Sequence, residues 1–242
     1  TGLVTDRTAA ILINSPSNPT GAVLEPQAIE AIAEIAIQAD CWIVSDEIYR
    51  FILFDGRKHY SPAFVSDEAR ERTIIIDGAS KTYSMTGWRI GWMIAPLEIA
   101  QAASRLQSQQ TSNPNSIAQW ATVEALLGPQ DCVEQMRAEF QRRRDFIYSA
   151  LSEIPDIVLS KPAGAFYAFP DLSAYLDGRL QFNGQPITSD EQLAMYLLEE
   201  VLISAVPGSP FGAPGYLRFS FATSLENIEE GMRRLRRGLG LE

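Results

Sequence analysis

Lys81 lies in a stretch whose composition differs from that around an ordinary surface lysine. The stretch DGASKTYSMTGWRIGW, residues 77–92, places it among small and hydroxylated residues, with Arg89 eight positions further on. The apolar runs RTIIID before it and WRIGWMIA after it predict strands on both sides of a tight turn. A lysine amine held in such a turn is suited to bond covalently to an aldehyde as a Schiff base.

Other polar residues follow the predicted strands at the points where those strands end. NSPSNPTG follows the first apolar run, SDEIY the second and DGASK the third. Ligands of open α/β sheets bind just beyond the carboxyl ends of the strands. If WRIGWMIA returns antiparallel to the third strand, its start lies at the same edge. We therefore expect five side chains to converge there: Asn18, Asp46, Tyr49, Lys81 and Arg89.

These five side chains are the groups that a pyridoxal phosphate site requires. The lysine bonds to the cofactor aldehyde, and a carboxylate beside the pyridine nitrogen keeps that ring protonated as an electron sink. A phenol and an amide can donate hydrogen bonds to the ring oxygen, and an arginine fork suits a phosphate. The residue types thus predict chemistry at the α-carbon of an amino acid.

The elements that position these residues follow from the hydrophobic pattern. TAAILINSP (8–16) and CWIVSDEIY predict buried strands, and EPQAIEAIAEIAIQAD between them predicts a helix that buries Ala28, Ile32, Ile35 and Ala39. This βαβ unit implies a parallel sheet, which 72–78 and 88–96 extend by two strands. Residues 97–153 have a helical pattern, and short strands, turns and two helices follow Pro155.

We therefore predict an α/β fold with two domains. Residues 1–130 are expected to form a large domain with a mostly parallel sheet between helical layers. Residues 131–242 are expected to form a connecting helix and a smaller α+β domain.

Six motifs occur in order along nearly the whole chain: SPSNPTG, VSDEIY, SKTYSMTGWRIGW, GAFY, VPGSPFG and LRFSFATS. Together they resemble the fold-type I pyridoxal-phosphate aminotransferases, and among them the bacterial aspartate aminotransferase subgroup of class I/II. The resemblance implies amino-group transfer from an L-amino acid, aspartate in this subgroup, to a 2-oxo acid such as 2-oxoglutarate. It also implies a homodimer.

The resemblance implies a role for each matching residue. Lys81 bonds to the cofactor and, once released, shuttles the substrate proton. Asp46 pairs with the pyridinium nitrogen, while Tyr49 and Asn18 contact the ring oxygen. Arg89 holds the phosphate, and Arg218 in LRFSFA clamps the substrate carboxylate with Asn18 nearby. Many relatives have a phosphate-binding serine where this chain has Gly78, so Ser80 is expected to contribute a minor contact.

The resemblance also implies about one further domain's worth of chain before the NPTG strand, in the order of 150 residues. That segment carries a glycine-rich phosphate loop and the aromatic residue that stacks on the cofactor. We therefore expect the chain to be the C-terminal portion of an aminotransferase, with four strands of the family's larger sheet. The chain by itself is expected to be inactive and to bind cofactor poorly.

Composition and charge restrict the partners. The net charge of −10 argues against nucleic-acid binding, and the runs RRR (142–144) and RRLRR (233–237) are interpreted as solvated helix faces. No apolar stretch has the length of a membrane span, so no membrane partner is expected. Cys41 and Cys132 lack metal-ligand spacing, so we predict no metal and, with Cys41 buried, a reducing, cytoplasmic location.

Several alternatives remain open for single residues. Asp46 could cap a helix or pair with Arg50, and Asn18 could serve only the turn of SNPTG. Arg218 could face solvent from a strand, and Tyr167 could line the site. His59, the single histidine, is interpreted as structural.

Alternatives also remain for the function. A fold-type I lyase or decarboxylase would use the same residues, and a non-catalytic aminotransferase-like effector domain of a transcription regulator would keep only the fold. A dinucleotide-dependent oxidoreductase is disfavoured because no G-x-G-x-x-G follows a predicted strand.

Overall fold

The computed structural model describes residues 2–241, which form two compact units. Unit 1 comprises residues 2–17 and 22–137, and unit 2 comprises residues 18–21 and 138–241. The division falls inside a helix over Asp131–Ser152. The turn at 18–21 therefore belongs to unit 2, although the residues on both sides of it in sequence belong to unit 1.

Unit 1 contains a sheet of four strands in the order β1 (Ala10–Asn14), β2 (Trp42–Asp46), β3 (Thr73–Gly78) and β4 (Gly91–Ile94). The first three are parallel, and β4 is antiparallel to β3, as the sequence predicts. The strand predicted over 88–96 begins only at Gly91, because Arg89 has a left-handed backbone with a φ of 55°. A strand cannot continue through that conformation.

Helix α1 (Pro26–Gln38) connects β1 to β2, with proline in its first turn. It buries Ile29, Ala33 and Ala36 against Ile13, Cys41 and Ile43 of the sheet layer. The predicted buried set was wrong by one position: Ala28 is exposed, and Ile32, Ile35 and Ala39 are only partly buried. Because α1 carries isoleucine or alanine in both of these neighbouring stripes, periodicity alone does not choose between them.

The remaining helices of unit 1 follow the sheet strands. They are α2 (Asp67–Arg70), α3 (Ala79–Thr82), α4 (Leu97–Gln110), α5 (Ser116–Leu127) and the first residues of α6 (Asp131–Ser152). The helical pattern predicted over 97–153 is thus confirmed as three helices. Asn115 starts α5 by accepting hydrogen bonds from the N–H groups of Ile117 and Ala118. Within residues 2–241, no helix is both long and apolar enough to cross a bilayer.

Unit 2 is a small α+β unit built on short strands. Its strands are β5 (Tyr167–Ala168), β6 (Gln181–Phe182), β7 (Gln185–Pro186), β8 (Val206–Pro207) and β9 (Leu217–Ser220). β9 lies between β5 and β8 in an antiparallel sheet, and β6 and β7 form a hairpin. Helices α7 (Asp190–Glu199) and α8 (Leu225–Gly238) begin at side-chain caps, Ser189 and Ser224.

The interpretation of the run 142–144 as a solvated helix face was wrong for one of its three arginines. Arg144 is completely buried, whereas Arg142 is exposed. In α6 the buried residues are Phe140, Arg144, Ile147 and Leu151, so Arg144 falls in the apolar stripe at helical spacing. Its Nη1 donates to the carbonyl of Pro162 at 2.7 Å, which satisfies the buried charge in part.

Candidate active site

The carboxyl ends of the three parallel strands lie side by side in unit 1. Asn14 of β1 pairs in register with Asp46 of β2, and β3 ends at Gly78, directly before α3. Lys81 therefore lies within the first turn after the sheet edge. Gly78 pairs with Gly91 of the antiparallel β4, so Arg89 lies two residues from the same edge. The structure thus brings the predicted residues of unit 1 to one edge, as the topology requires.

Lys81 and Tyr49 are neighbours at this edge. The Lys81 Nζ lies 5.9 Å from the centroid of the Tyr49 ring. Tyr49 is buried and Lys81 is partly buried. The aromatic ring thus forms one wall beside the amine, and a cation is favourable near its face.

Asp46 presents a carboxylate with remaining acceptor capacity. Its Oδ1 accepts a hydrogen bond from the Ile48 N–H at 3.2 Å, and the carboxylate forms no ion pair within residues 2–241. The alternative of a pair with Arg50 is wrong, because the Arg50 Nε lies 2.7 Å from Asp77 Oδ2 instead. A carboxylate with two oxygens and one such donor can still accept from a protonated ring nitrogen.

A cleft of about 250 Å³ opens between α3 and the start of β4. Its lining includes Ser80 and Arg89, the two residues predicted to contact phosphate, together with Ile48, Asp77, Gly78, Ile90 and Gly91. Arg89 is exposed, and its Nη1 donates to the carbonyl of Thr86 at 3.0 Å. An anion entering this cleft would meet a guanidinium and a hydroxyl.

Sequence reasoning missed a buried acid beside Asp46. Glu47 is 2% exposed and accepts from the hydroxyls of Ser45 at 2.9 Å and Ser61 at 2.5 Å. Its Oε2 lies 2.8 Å from His59 Nε2, consistent with a structural role for that histidine. Burial opposes ionisation, but the contacts with His59, Ser61 and Ser45 outweigh it and lower the pKa of Glu47.

A sequence signal for Glu47 was available. The residues Ile43, Ser45 and Glu47 alternate along β2 and its end, and all three are buried. Strand periodicity therefore places Glu47 on the inward face, where an acid requires partners. The sequence does not indicate which residues would be those partners, since Ser61 lies fourteen positions away.

In unit 2, Arg218 of β9 is held on several sides. Its Nη1 donates to Asn18 Oδ1 at 2.7 Å, and its Cζ lies 4.6 Å from the Tyr167 ring centroid and 5.4 Å from that of Phe211. Its Nε is buried without a hydrogen-bond partner among the described residues. A guanidinium with a buried, unsatisfied N–H is suited to bind a carboxylate through two parallel hydrogen bonds.

The turn that carries Asn18 is fixed from within unit 2. The carbonyl of Gly21 accepts from the N–H groups of Ala163 and Gly164, both at 2.9 Å. Gly21 has a φ of +68°, and a Cβ there would lie 2.7 Å from the Cβ of Pro162. Since buried Arg144 donates to the Pro162 carbonyl, a continuous chain of contacts runs from α6 to Asn18. The structure places Asn18 with Arg218, and its contact with a cofactor ring oxygen stays a prediction.

The side chains at the sheet edge of unit 1 fit pyridoxal phosphate by chemistry. An amine beside an aromatic wall, an acid with spare acceptor capacity, and a cleft lined by a guanidinium and a hydroxyl are all present. These are the groups that bond the aldehyde, pair with the ring nitrogen and bind the phosphate of that cofactor.

Comparison with known proteins agrees with this geometry. Residues 3–235 match the family model "Aminotransferase class I and II". The aspartate aminotransferase of Bacillus sp. (strain YM-2) is 47% identical over 97% of this chain, and the "Probable aspartate/prephenate aminotransferase" of Aquifex aeolicus is 45% identical over 98%. The chain spans 58% of the length of each of these relatives.

Solved structures give the same result for the fold. The aspartate aminotransferase from Rhizobium meliloti superposes with a TM-score of 0.91 at 38% identity, covering 98% of this chain and 59% of that one. The aromatic aminotransferase from Pyrococcus horikoshii superposes with a TM-score of 0.89 at 38% identity, covering 99% and 62%. The chain therefore belongs to the class I and II aminotransferase family.

Proposed function

We propose that the protein is a pyridoxal-phosphate-dependent aminotransferase that moves an amino group from an L-amino acid to a 2-oxo acid. We propose aspartate as the donor and a dicarboxylic 2-oxo acid such as 2-oxoglutarate as an acceptor. The relatives from Bacillus sp. and Rhizobium meliloti are named aspartate aminotransferases, which supports aspartate. The observation that carries the proposal is the set Asp46, Tyr49, Lys81 and Arg89 at one sheet edge.

When bound, the cofactor supplies an electron sink for a substrate that has lost its α-proton. Lys81 is the amine that binds the cofactor and then moves the proton at the substrate α-carbon. The Asp46 carboxylate holds a proton at the ring nitrogen, and the Tyr49 hydroxyl orients the ring oxygen. Arg89 and Ser80 bind the phosphate and so set the position of the ring.

Arg218 binds and orients the substrate α-carboxylate. Its Nη1 is already bonded to Asn18, and its Nε lacks a hydrogen-bond partner within residues 2–241, so a carboxylate satisfies a donor that is otherwise buried without one. Orientation of the α-carbon follows, because a two-point contact fixes a planar carboxylate.

The assignment of Lys81 is tested by covalent labelling. The whole protein, rather than residues 1–242 alone, is loaded with pyridoxal phosphate, reduced with borohydride and digested. Residues 1–242 contain three lysines, Lys58, Lys81 and Lys161, and peptide mapping of the label distinguishes them. We expect it on the peptide with Lys81, and we expect Lys81→Ala to abolish both the label and the visible absorbance. Lys58→Ala, at an exposed position of the same unit, is the matched control and should retain both.

The reaction is tested by product analysis. An aminotransferase yields one 2-oxo acid and one amino acid in equal amounts. Without a 2-oxo acid acceptor, it converts at most one donor amino acid per active site. Carbon dioxide or ammonia released in step with substrate loss would instead indicate a decarboxylase or a lyase. Cofactor binding without any turnover would indicate the effector-domain alternative.

We also propose that the protein acts in the cytoplasm as a homodimer. Helix α5 leaves Ile117, Trp120 and Leu127 at 69%, 75% and 82% exposure, and a cluster of exposed apolar side chains on one helix is typical of an interaction surface. Sedimentation of the protein at micromolar concentration is expected to give a dimer, and a Trp120→Glu variant is expected to shift it towards monomer.

A further inference from the structure

An ion pair connects the two segments that carry Tyr49 and Lys81. The Arg50 Nε lies 2.7 Å from Asp77 Oδ2, and the Asp77 side chain is 3% exposed. Arg50 directly follows Tyr49, and Asp77 precedes Lys81 by four residues at the end of β3. The pair therefore links the loop after β2 to the end of β3 beside the proposed cofactor site.

The second oxygen of Asp77 holds the residue that precedes α3. Its Oδ1 accepts from the Gly78 N–H at 2.7 Å, and Gly78 is the residue directly before α3. On its other side Gly78 lies against β4, because a Cβ there would be 2.9 Å from the Ile90 carbonyl oxygen. The start of the short helix that carries Lys81 is thus held by a carboxylate and by close backbone packing.

The negative charge of Asp77 would oppose the binding of an anion in the cleft unless another group neutralised it. Asp77 lines the cleft that contains Ser80 and Arg89. Desolvation by burial raises the pKa of Asp77, against the lowering by the Gly78 N–H and the Arg50 charge, and nearby Glu47 adds to the rise. A phosphate in the cleft would be repelled by an uncompensated carboxylate, since two like charges at short range interact strongly away from bulk water.

We propose that Arg50 and Asp77 are positioning residues of the cofactor site, in which Asp77 fixes the start of the Lys81 helix and Arg50 cancels its charge beside the phosphate cleft. The Arg50 side chain is 35% exposed and lies 4.5 Å from the Phe51 ring, and Arg50 is not among the residues that line the cleft. The pair acts through Gly78, Lys81 and the electrostatic potential of the cleft. This inference rests on the proposed function for the identity of the anion.

The test compares two variants that are expected to change the affinity for pyridoxal phosphate in opposite directions. Arg50→Met removes the cation and leaves the buried carboxylate, so pyridoxal phosphate should bind about tenfold more weakly at low ionic strength. Asp77→Asn removes the anion but keeps an oxygen for the Gly78 N–H, so pyridoxal phosphate should bind several-fold more tightly. The double variant should bind close to wild type. Pyridoxal, which has no phosphate, should bind all four proteins with similar affinity.

A control variant and the pattern of results across the variants distinguish an electrostatic role of the pair from a purely structural one. Arg57→Met breaks an exposed ion pair with Glu25 in the same unit and should leave binding unchanged. If Asp77 only tethers the loops, Asp77→Asn and Arg50→Met will both weaken binding and the double variant will not recover, which overturns the electrostatic role. Should Arg50→Met not fold, Asp77→Asn alone decides: tighter phosphate-dependent binding supports the proposal, and unchanged or weaker binding overturns it.

Hydrogen exchange tests the positioning of α3 without cofactor. The peptide over residues 77–83 should exchange several-fold faster in Asp77→Ala than in Asp77→Asn, because only asparagine retains an acceptor for the Gly78 N–H. Equal exchange in the two variants would contradict the positioning role. A wild-type protein that carries no label on Lys81 would instead refute the proposed function, so the two failures are distinguishable.

Discussion

Arg89 and Arg218, the two arginines assigned to anions, lie in contrasting surroundings. Arg218 of unit 2 is partly buried, bonded to Asn18 and stacked near the rings of Tyr167 and Phe211. Arg89 of unit 1 is exposed, and a backbone carbonyl accepts its hydrogen bond. One guanidinium is thus fixed by a strand, an amide and two rings, whereas the other extends from a turn.

The difference indicates how each anion would be bound. A side chain already held in its binding geometry loses little conformational entropy when a ligand arrives, so more of the interaction energy appears as affinity. The proposed Arg218 site is organised before binding, and unit 2 would set its selectivity for a planar carboxylate. The Arg89 side chain would be ordered by the phosphate itself, so its contribution is mainly one of charge.

The largest effect is expected at Arg218. Arg218→Lys keeps the charge but loses the planar fork and the stacking on both rings, so amino-acid affinity should fall about a hundredfold. The measurement is the spectral titration of the cofactor-loaded protein with aspartate. Cofactor affinity should stay within about twofold of wild type, because Arg218 is proposed to bind the substrate carboxylate and not the cofactor. An equal loss of both affinities would contradict the assignment of Arg218 to the substrate.

A smaller effect is expected at Arg89. Because Arg89 is proposed to act mainly as a charge, Arg89→Lys should weaken pyridoxal phosphate binding less than about tenfold, whereas Arg89→Met should weaken it considerably more. Binding of pyridoxal measures the contribution of the phosphate. If Arg89→Lys is as damaging as Arg89→Met, the guanidinium is required by shape and the contrast between the two arginines disappears.

The smallest effect concerns the buried acid that supports unit 1. The folded-state pKa of Glu47 lies below its usual 4.5, so its contribution to stability is present above that pH and is lost as the pH falls through the folded pKa. Glu47→Gln should therefore lower the free energy of unfolding by about 1–2 kcal/mol at neutral pH. Below the usual pKa of 4.5 this difference should shrink.

Urea unfolding followed by tryptophan fluorescence measures this effect selectively, because the four tryptophans at 42, 88, 92 and 120 all belong to unit 1. Glu34→Gln, at an exposed position of α1, is the control and should change little at either pH. A Glu47→Gln penalty that is the same at neutral and acid pH would show that ionisation of Glu47 is unimportant for the fold.

Much of the fold and the candidate site follows from local patterns. Strand ends place Asp46 and Gly78 at one edge, and the antiparallel return of β4 brings Arg89 there. The motifs predict roles for Lys81 and Arg218, and these roles stay predictions. The buried stripe of α1 was misplaced because two neighbouring stripes are equally apolar, and Arg144 was taken as solvated although its helical spacing matches Phe140, Ile147 and Leu151.

The sequence by itself determined which residue types stand at the ends of the strands, because alternation and helical period depend only on the order of residues along the chain. Only the tertiary structure decided which partners those residues take: Asp77 and not Asp46 for Arg50, Asn18 for Arg218, and His59, Ser45 and Ser61 for Glu47. Periodicity states which face a side chain occupies. The partner depends on how loops that are distant in sequence pack together, and no local sequence pattern specifies that packing.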